Sequence, residues 1–154
     1  MMSSRNPSGG GDPFDLERFV SAQRPVYATA LAEVRSGSKR THWMWFVFPQ
    51  VLGLGSSSTS SHYAIRSREE ARAYLDHLVL GPRLRECAEA MLALRGRTAS
   101  AVFGYPDVLK LKSSMTLFAE VDGPGSVFER VLETYYDGRR CERTLAMLRR
   151  SHDA

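Results

Sequence analysis

The sequence predicts an all-α fold, a compact single-domain bundle of about eight short helices over residues 12–150. Three observations predict it. Apolar residues recur at three- and four-residue spacing, as in Leu84, Cys87, Ala88 and Met91. Caps and breakers punctuate that pattern: an S-x-x-E box at Ser67–Glu70, glycines at 37, 96, 104 and 138, and prolines at 13, 25, 82 and 106. No period-two run is long enough for a sheet. A chain of 154 residues, 43% hydrophobic and 25% charged, can bury one core without disulfides.

Residues 1–11 are rich in glycine and serine, lack apolar anchors and read as a disordered tail. Asp12 then caps a helix with Pro13 at its first position, and Leu16, Phe19 and Val20 share a face. Pro25 begins or kinks the next segment, where Val26, Tyr27, Ala30, Leu31 and Val34 keep helical spacing up to Gly37. Thr41 can cap a short aromatic helix over 42–48, which Pro49 stops. Residues 49–66 show no convincing element.

Ser67 and Glu70 open a helix expected to run from Arg68 to Val79 and to bury Ala71, Tyr74, Leu75 and Leu78, with Gly81-Pro82 as its break. The next helix, through Met91 and Leu92, ends at Gly96. Thr98 caps a short helix over 99–103. Pro106 starts another, in which Val108, Leu111, Met115 and Phe118 align. Ser126 caps 127–136, and Gly138 ends it. Cys141, Thr144, Leu145 and Leu148 define a last helix before a tail at 151–154.

Composition removes several function classes. The net charge is +4 and the pI about 9.3, but basic residues are interleaved with acidic ones. A nucleic-acid binder would show a basic stripe, so that function is disfavoured. No apolar run is long enough for a membrane span, and the N-terminus lacks the apolar core of a signal peptide. Cys87 and Cys141 sit in no paired spacing and read as reduced thiols of a cytoplasmic protein. With His42, His62, His77 and His152 they form no zinc pattern, so neither metal nor cofactor is expected.

The stretch Lys39 to Arg66 is the most biased part of the chain. It holds both tryptophans and five of the fifteen aromatic residues, then turns to glycine, serine and threonine. One reading makes the aromatics core and the loop a connector. The other makes a ligand pocket. In the second, Trp43 and Trp45 stack a ring, Gln50 and Tyr63 supply polar groups, and Gly53, Gly55 and Ser56 cradle an anion. His42 is then the candidate general acid or base, because histidine titrates near neutrality. Lys110, Lys112, Ser113 and Ser114 add a second polar cluster, since mid-helix serines run against helix propensity. Two functions follow. The first is binding of a small anionic or nucleotide-like ligand, with hydrolysis as a further step. The alternative is a non-catalytic protein–protein interaction module that docks through the aromatic stretch. The oligomeric state is not legible.

The segments HWMWFVFPQVLGLGSSSTSSHYAI (residues 42–65) and FGYPDVLKLKSSMTLF (residues 103–118) occur in that order, with EEARAYL and PRLREC between them. On these motifs the chain resembles the domain-of-unknown-function family numbered eighteen-ten, bacterial proteins often labelled calpastatin. The resemblance runs from about Asp12 to Leu148. It implies a compact all-helical fold and no particular activity. Calpain-inhibitory repeats are disordered, whereas this chain reads as a packed domain, so the label carries no function over. The family pattern near the end is Y-x-G-x-x-D-x-x-T. Tyr136, Gly138 and Thr144 match it, and Cys141 stands where aspartate is usual. No catalytic role is therefore carried onto position 141.

Overall fold

The computed structural model describes residues 11–153, which form ten α-helices and no strand. They are α1 (Glu17–Gln23), α2 (Tyr27–Ser36), α3 (Met44–Val47), α4 (Ser58–His62), α5 (Arg68–Asp76), α6 (Leu80–Ala93), α7 (Ala99–Phe103), α8 (Asp107–Asp122), α9 (Val127–Tyr136) and α10 (Glu142–Asp153). The all-helical expectation holds, with ten helices in place of about eight. The tail expected over 1–11 lies, except for Gly11, outside the described residues. The last helix continues to Asp153 instead of giving way to a tail at 151.

Helix α8 is the hub. It packs against α3, α5, α7, α9 and α10, while α6 packs against α2, α5 and α9. Ser113 to Ala119 are all buried, so α8 is enclosed on nearly every side. That explains its buried hydroxyls. Ser113 donates to Leu109 O at 3.1 Å and Thr116 to Lys112 O at 2.8 Å, so two of them lean on their own helix and leave room for neighbours. The surrounding core includes Phe19, Trp43, Phe48, Tyr74, Met115, Phe118 and Phe128, all essentially inaccessible. Each such side chain contributes about 1.5–3 kcal/mol on burial.

Several local expectations hold. Ser67, Thr98 and Ser126 each accept the backbone N–H three residues on, closing the first turns of α5, α7 and α9. Asp12 also acts as an acceptor, taking Leu16 N at 2.7 Å and Glu17 N at 2.9 Å, although α1 begins only at Glu17.

Three differences have clear physical causes. Helix α5 stops at Asp76, so Leu78, expected in the core, is 91% exposed. The His77 ring accepts the N–H groups of Val79 (3.0 Å) and Leu80 (3.2 Å), which starts α6 early. Gly81 then lies within the first turn of α6, where an added Cβ would sit 2.0 Å from Leu75 O. Gly81-Pro82 therefore marks a close crossing, and proline is tolerated where a first-turn N–H has no helical acceptor. Thr41 does not cap the aromatic helix: its hydroxyl donates to Glu33 at 2.8 Å, and α3 spans only Met44–Val47. Finally, residues 49–66 are ordered. Helix α4, capped by Ser57, sits inside them, and an isolated parallel bridge joins Val51 to Ile65.

Candidate functional site

A cleft of about 400 Å³ opens between the 45–55 segment, the first turns of α8 and the start of α10. Its apolar lining comes from Trp45, Leu54, Pro106 and Leu109. Its polar lining comes from Gln50, Lys110, Lys112, Ser113, Arg140, Cys141, Glu142 and Arg143.

The aromatic wall is set from below. Glu33 on α2 is buried, and its carboxylate accepts Arg40 N (2.9 Å), Thr41 N (3.1 Å), the Thr41 hydroxyl (2.8 Å) and Trp43 Nε1 (2.9 Å). Burial alone would raise its pKa, but these bonds outweigh it and hold the carboxyl at about 2. Trp43 is thereby fixed in the core. Trp45, two residues on, points the other way and is half-buried against the cleft. The Lys110 ammonium lies 4.2 Å from its ring centroid.

Asp107 steadies that lysine. It meets Lys110 at 3.0 Å and Lys39 at 2.8 Å. Burial works to raise the Asp107 pKa, and hydrogen bonds from the two lysines overcome it, leaving the carboxyl below its ordinary value. Arg140 is likewise anchored, with Glu129 at 2.7 Å and Glu120 at 3.3 Å, yet its Nη1 is buried without a partner. Lys112 and Arg143 form no salt bridge among the described residues. Arg143 donates only a long bond, 3.4 Å, to Gly53 O.

The loop wall depends on the Val51–Ile65 bridge. Ile65 N donates to Gln50 O and Leu52 N to Ile65 O, each at 2.8 Å. Gln50 is only 7% exposed, and its amide nitrogen has no hydrogen-bond partner among the described residues. Gly55 meets Trp45 closely: an added Cβ would lie 2.7 Å from Ser60 Cβ and 3.3 Å from the Trp45 ring. A side chain there would push the loop off the tryptophan.

The cleft brings together Trp45, Gln50, Gly55, Lys110, Lys112 and Ser113. The other candidates fall elsewhere. His42 is exposed and outside the lining. Trp43 is 1% exposed in the core. Gly53 packs towards Met147, and Ser56 is exposed. Tyr63 packs on Phe46, with ring centroids 5.3 Å apart. Ser114 is fully buried, and its hydroxyl has no partner. The sequence-predicted set leaves out Arg140 to Arg143, at and just before the start of α10, and Leu54 and Leu109. The run Arg139-Arg140-Cys141 ahead of an amphipathic helix was the available signal.

Among the described residues no cluster of histidine, cysteine or acidic side chains could hold a metal ion, and no helix is long and apolar enough to cross a membrane.

Comparison with known proteins agrees with this architecture. No curated protein is similar enough to match. A crystal structure at 1.38 Å of the conserved hypothetical protein Rv1873 from Mycobacterium tuberculosis is 54% identical, with a TM-score of 0.88. The similarity covers 90% of this chain and 99% of that one. The family described as protein of unknown function, DUF1810, matches residues 13–148. With nearly every described element inside that match, the chain belongs to the DUF1810 family.

Proposed function

We propose that the cleft between Trp45 and the start of α10 binds a small anionic ligand carrying a flat or apolar portion, such as a nucleotide-like molecule. One observation carries the reading. Lys110, Lys112, Arg140 and Arg143 converge on an apolar cleft in which Glu142 is the single lining carboxylate. Among the described residues Lys112 and Arg143 form no ion pair, so they can meet an anion without breaking one. Trp45 and Leu109 offer a surface for a ring, and the Gln50 amide nitrogen supplies a buried donor in search of an acceptor. Binding is the whole of the proposal. His42 is outside the lining and receives no catalytic role.

The interaction-module reading draws less support. It relied on aromatic anchors at the surface, and Trp43 and Phe48 are core residues at 1% and 0% exposure.

The test is a fluorescence titration. Trp45 alone faces the cleft, while Trp43 is buried in the core, so a ligand-dependent change in emission is read from Trp45 and should vanish in Trp45→Phe. Titration with nucleotides, sugar phosphates and inorganic phosphate should give a saturable change with one class. Lys112→Ala should weaken that binding by about ten-fold or more, the worth of one charge-assisted hydrogen bond. A flat response to every anion would remove the proposal.

A further inference from the structure

We propose that Cys141 is a nucleophilic thiolate that forms a covalent adduct with an anionic carbon electrophile held in the cleft. The inference rests on the anion-binding reading of the same cleft and names the chemistry that one of its walls performs.

Cys141 immediately precedes the twelve-residue helix α10 and lines the cleft. Its own N–H is occupied, donating to Thr116 Oγ1 at 2.9 Å, which fixes the backbone. The sulfur faces the donors. The Ser113 hydroxyl lies 3.3 Å from Sγ. Thr144, three residues on, is fully buried, and its hydroxyl has no hydrogen-bond partner among the described residues. Partial burial of the sulfur opposes ionisation. Polar groups around the sulfur, the Ser113 hydroxyl first and then Thr144 and the backbone at the start of α10, outweigh it and bring the thiol below its ordinary value. The Thr144 hydroxyl is buried without an acceptor among the described residues, which is costly, and a thiolate beside it is a stronger acceptor than a neutral thiol.

A second group points the same way. Gln50, on the opposite wall, presents an amide nitrogen that is buried and unpartnered. It can hold the carboxylate or carbonyl oxygen of a molecule attacked by the sulfur. Lys112 and Arg143 supply the charge that selects an anion. Cys87 provides the internal contrast: it is fully buried in the core, and burial pushes its thiol up to about 12.

The reaction with the probe iodoacetate is a simple displacement. The thiolate sulfur forms a bond to the methylene carbon, the carbon–iodine bond breaks, and iodide leaves with the electron pair. The thiol proton is lost to solvent before attack, so the thiolate is the attacking species and the step releases one proton and one iodide overall.

The native full chain is treated separately with limiting iodoacetate and neutral iodoacetamide at low salt, and labelled peptides are quantified by mass. Cys141 should label and Cys87 should not. Relative to free cysteine in the same buffer, the iodoacetate-to-iodoacetamide rate ratio should rise about ten-fold, the low end of what a charged cleft does for a counter-ion. The ratio should return towards that of free cysteine in Lys112→Ala/Arg143→Ala. Cys141→Asp keeps a side chain able to cap α10 and should lose the fast labelling event without losing the fold. Labelling of Cys141 no faster than free cysteine overturns the nucleophile. A ratio equal to that of free cysteine overturns the selection of anions. If Cys141 is slow while the Trp45 titration still saturates, the thiol inference falls alone. If Cys141 is fast towards both reagents and the titration is flat, the binding reading falls and takes the ligand class with it.

Discussion

Glu33 shows how one residue can set the geometry of a site it never touches. Its carboxylate gathers four donors from residues 40–43 and points Trp43 inward, which leaves Trp45 facing out. Its pKa is lowered from 4.5 to about 2, so the stability it contributes is fully present above pH 4.5. That contribution is lost as the pH falls towards 2, and it amounts to roughly 3 kcal/mol. Glu33→Gln should lower the midpoint of chemical unfolding at neutral pH and flatten the acid limb of the stability curve between pH 4.5 and 2. An unchanged acid limb would show that other carboxylates dominate it. Sequence could not single this residue out. Glu33 looks like any glutamate on a helix, and only folding brings the donors of 40–43 to it.

At the scale of the element, the 49–66 segment is the instructive case. Its serines and glycines suggest a structureless connector or an anion cradle. In the fold, Arg18 on α1 fastens its far end, donating to His62 O at 2.8 Å, Ala64 O at 2.9 Å and Glu70 at 2.7 Å. Glu70 also accepts the Arg66 N–H at 2.9 Å, one residue ahead of the Ser67 cap, so the capping box is tied to the loop as well as to the helix. Arg18 and Glu70 are 9% and 2% exposed at the side chain, and breaking such a buried pair costs about 3–5 kcal/mol. Arg18→Ala should therefore speed amide exchange at Leu52 and Ile65, whose N–H groups form the bridge. Arg18→Lys should recover only part of the protection, because an ammonium lacks the guanidinium fork. Equal exchange in all three proteins would mean that the bridge holds the loop unaided.

The whole molecule is built round α8, whose buried run from Ser113 to Ala119 touches the neighbours that also carry the cleft. Stability and site geometry are therefore linked through one helix. Met115→Ala, at a fully buried position, should cost about 2–5 kcal/mol, read from denaturant unfolding with the slope unchanged. A loss below about 1 kcal/mol would mean that the hub repacks freely, against the close packing of protein interiors.

The sequence by itself determined the fold class, the caps at Ser67, Thr98 and Ser126, and most of the core. Those features depend on neighbours within a turn or two, and periodicity reports them directly. It also named, within the two aromatic and lysine-serine motifs, six residues that the fold gathers along one cleft: Trp45, Gln50, Gly55, Lys110, Lys112 and Ser113. The tertiary structure alone decided which tryptophan faces the cleft, that His42 stands outside it, and that the start of α10 and the residues leading into it close it with Arg140, Cys141 and Arg143. The reason is physical. Residues 45 and 143 are nearly a hundred positions apart, and no local pattern encodes the packing of α10 on α8 that makes them neighbours.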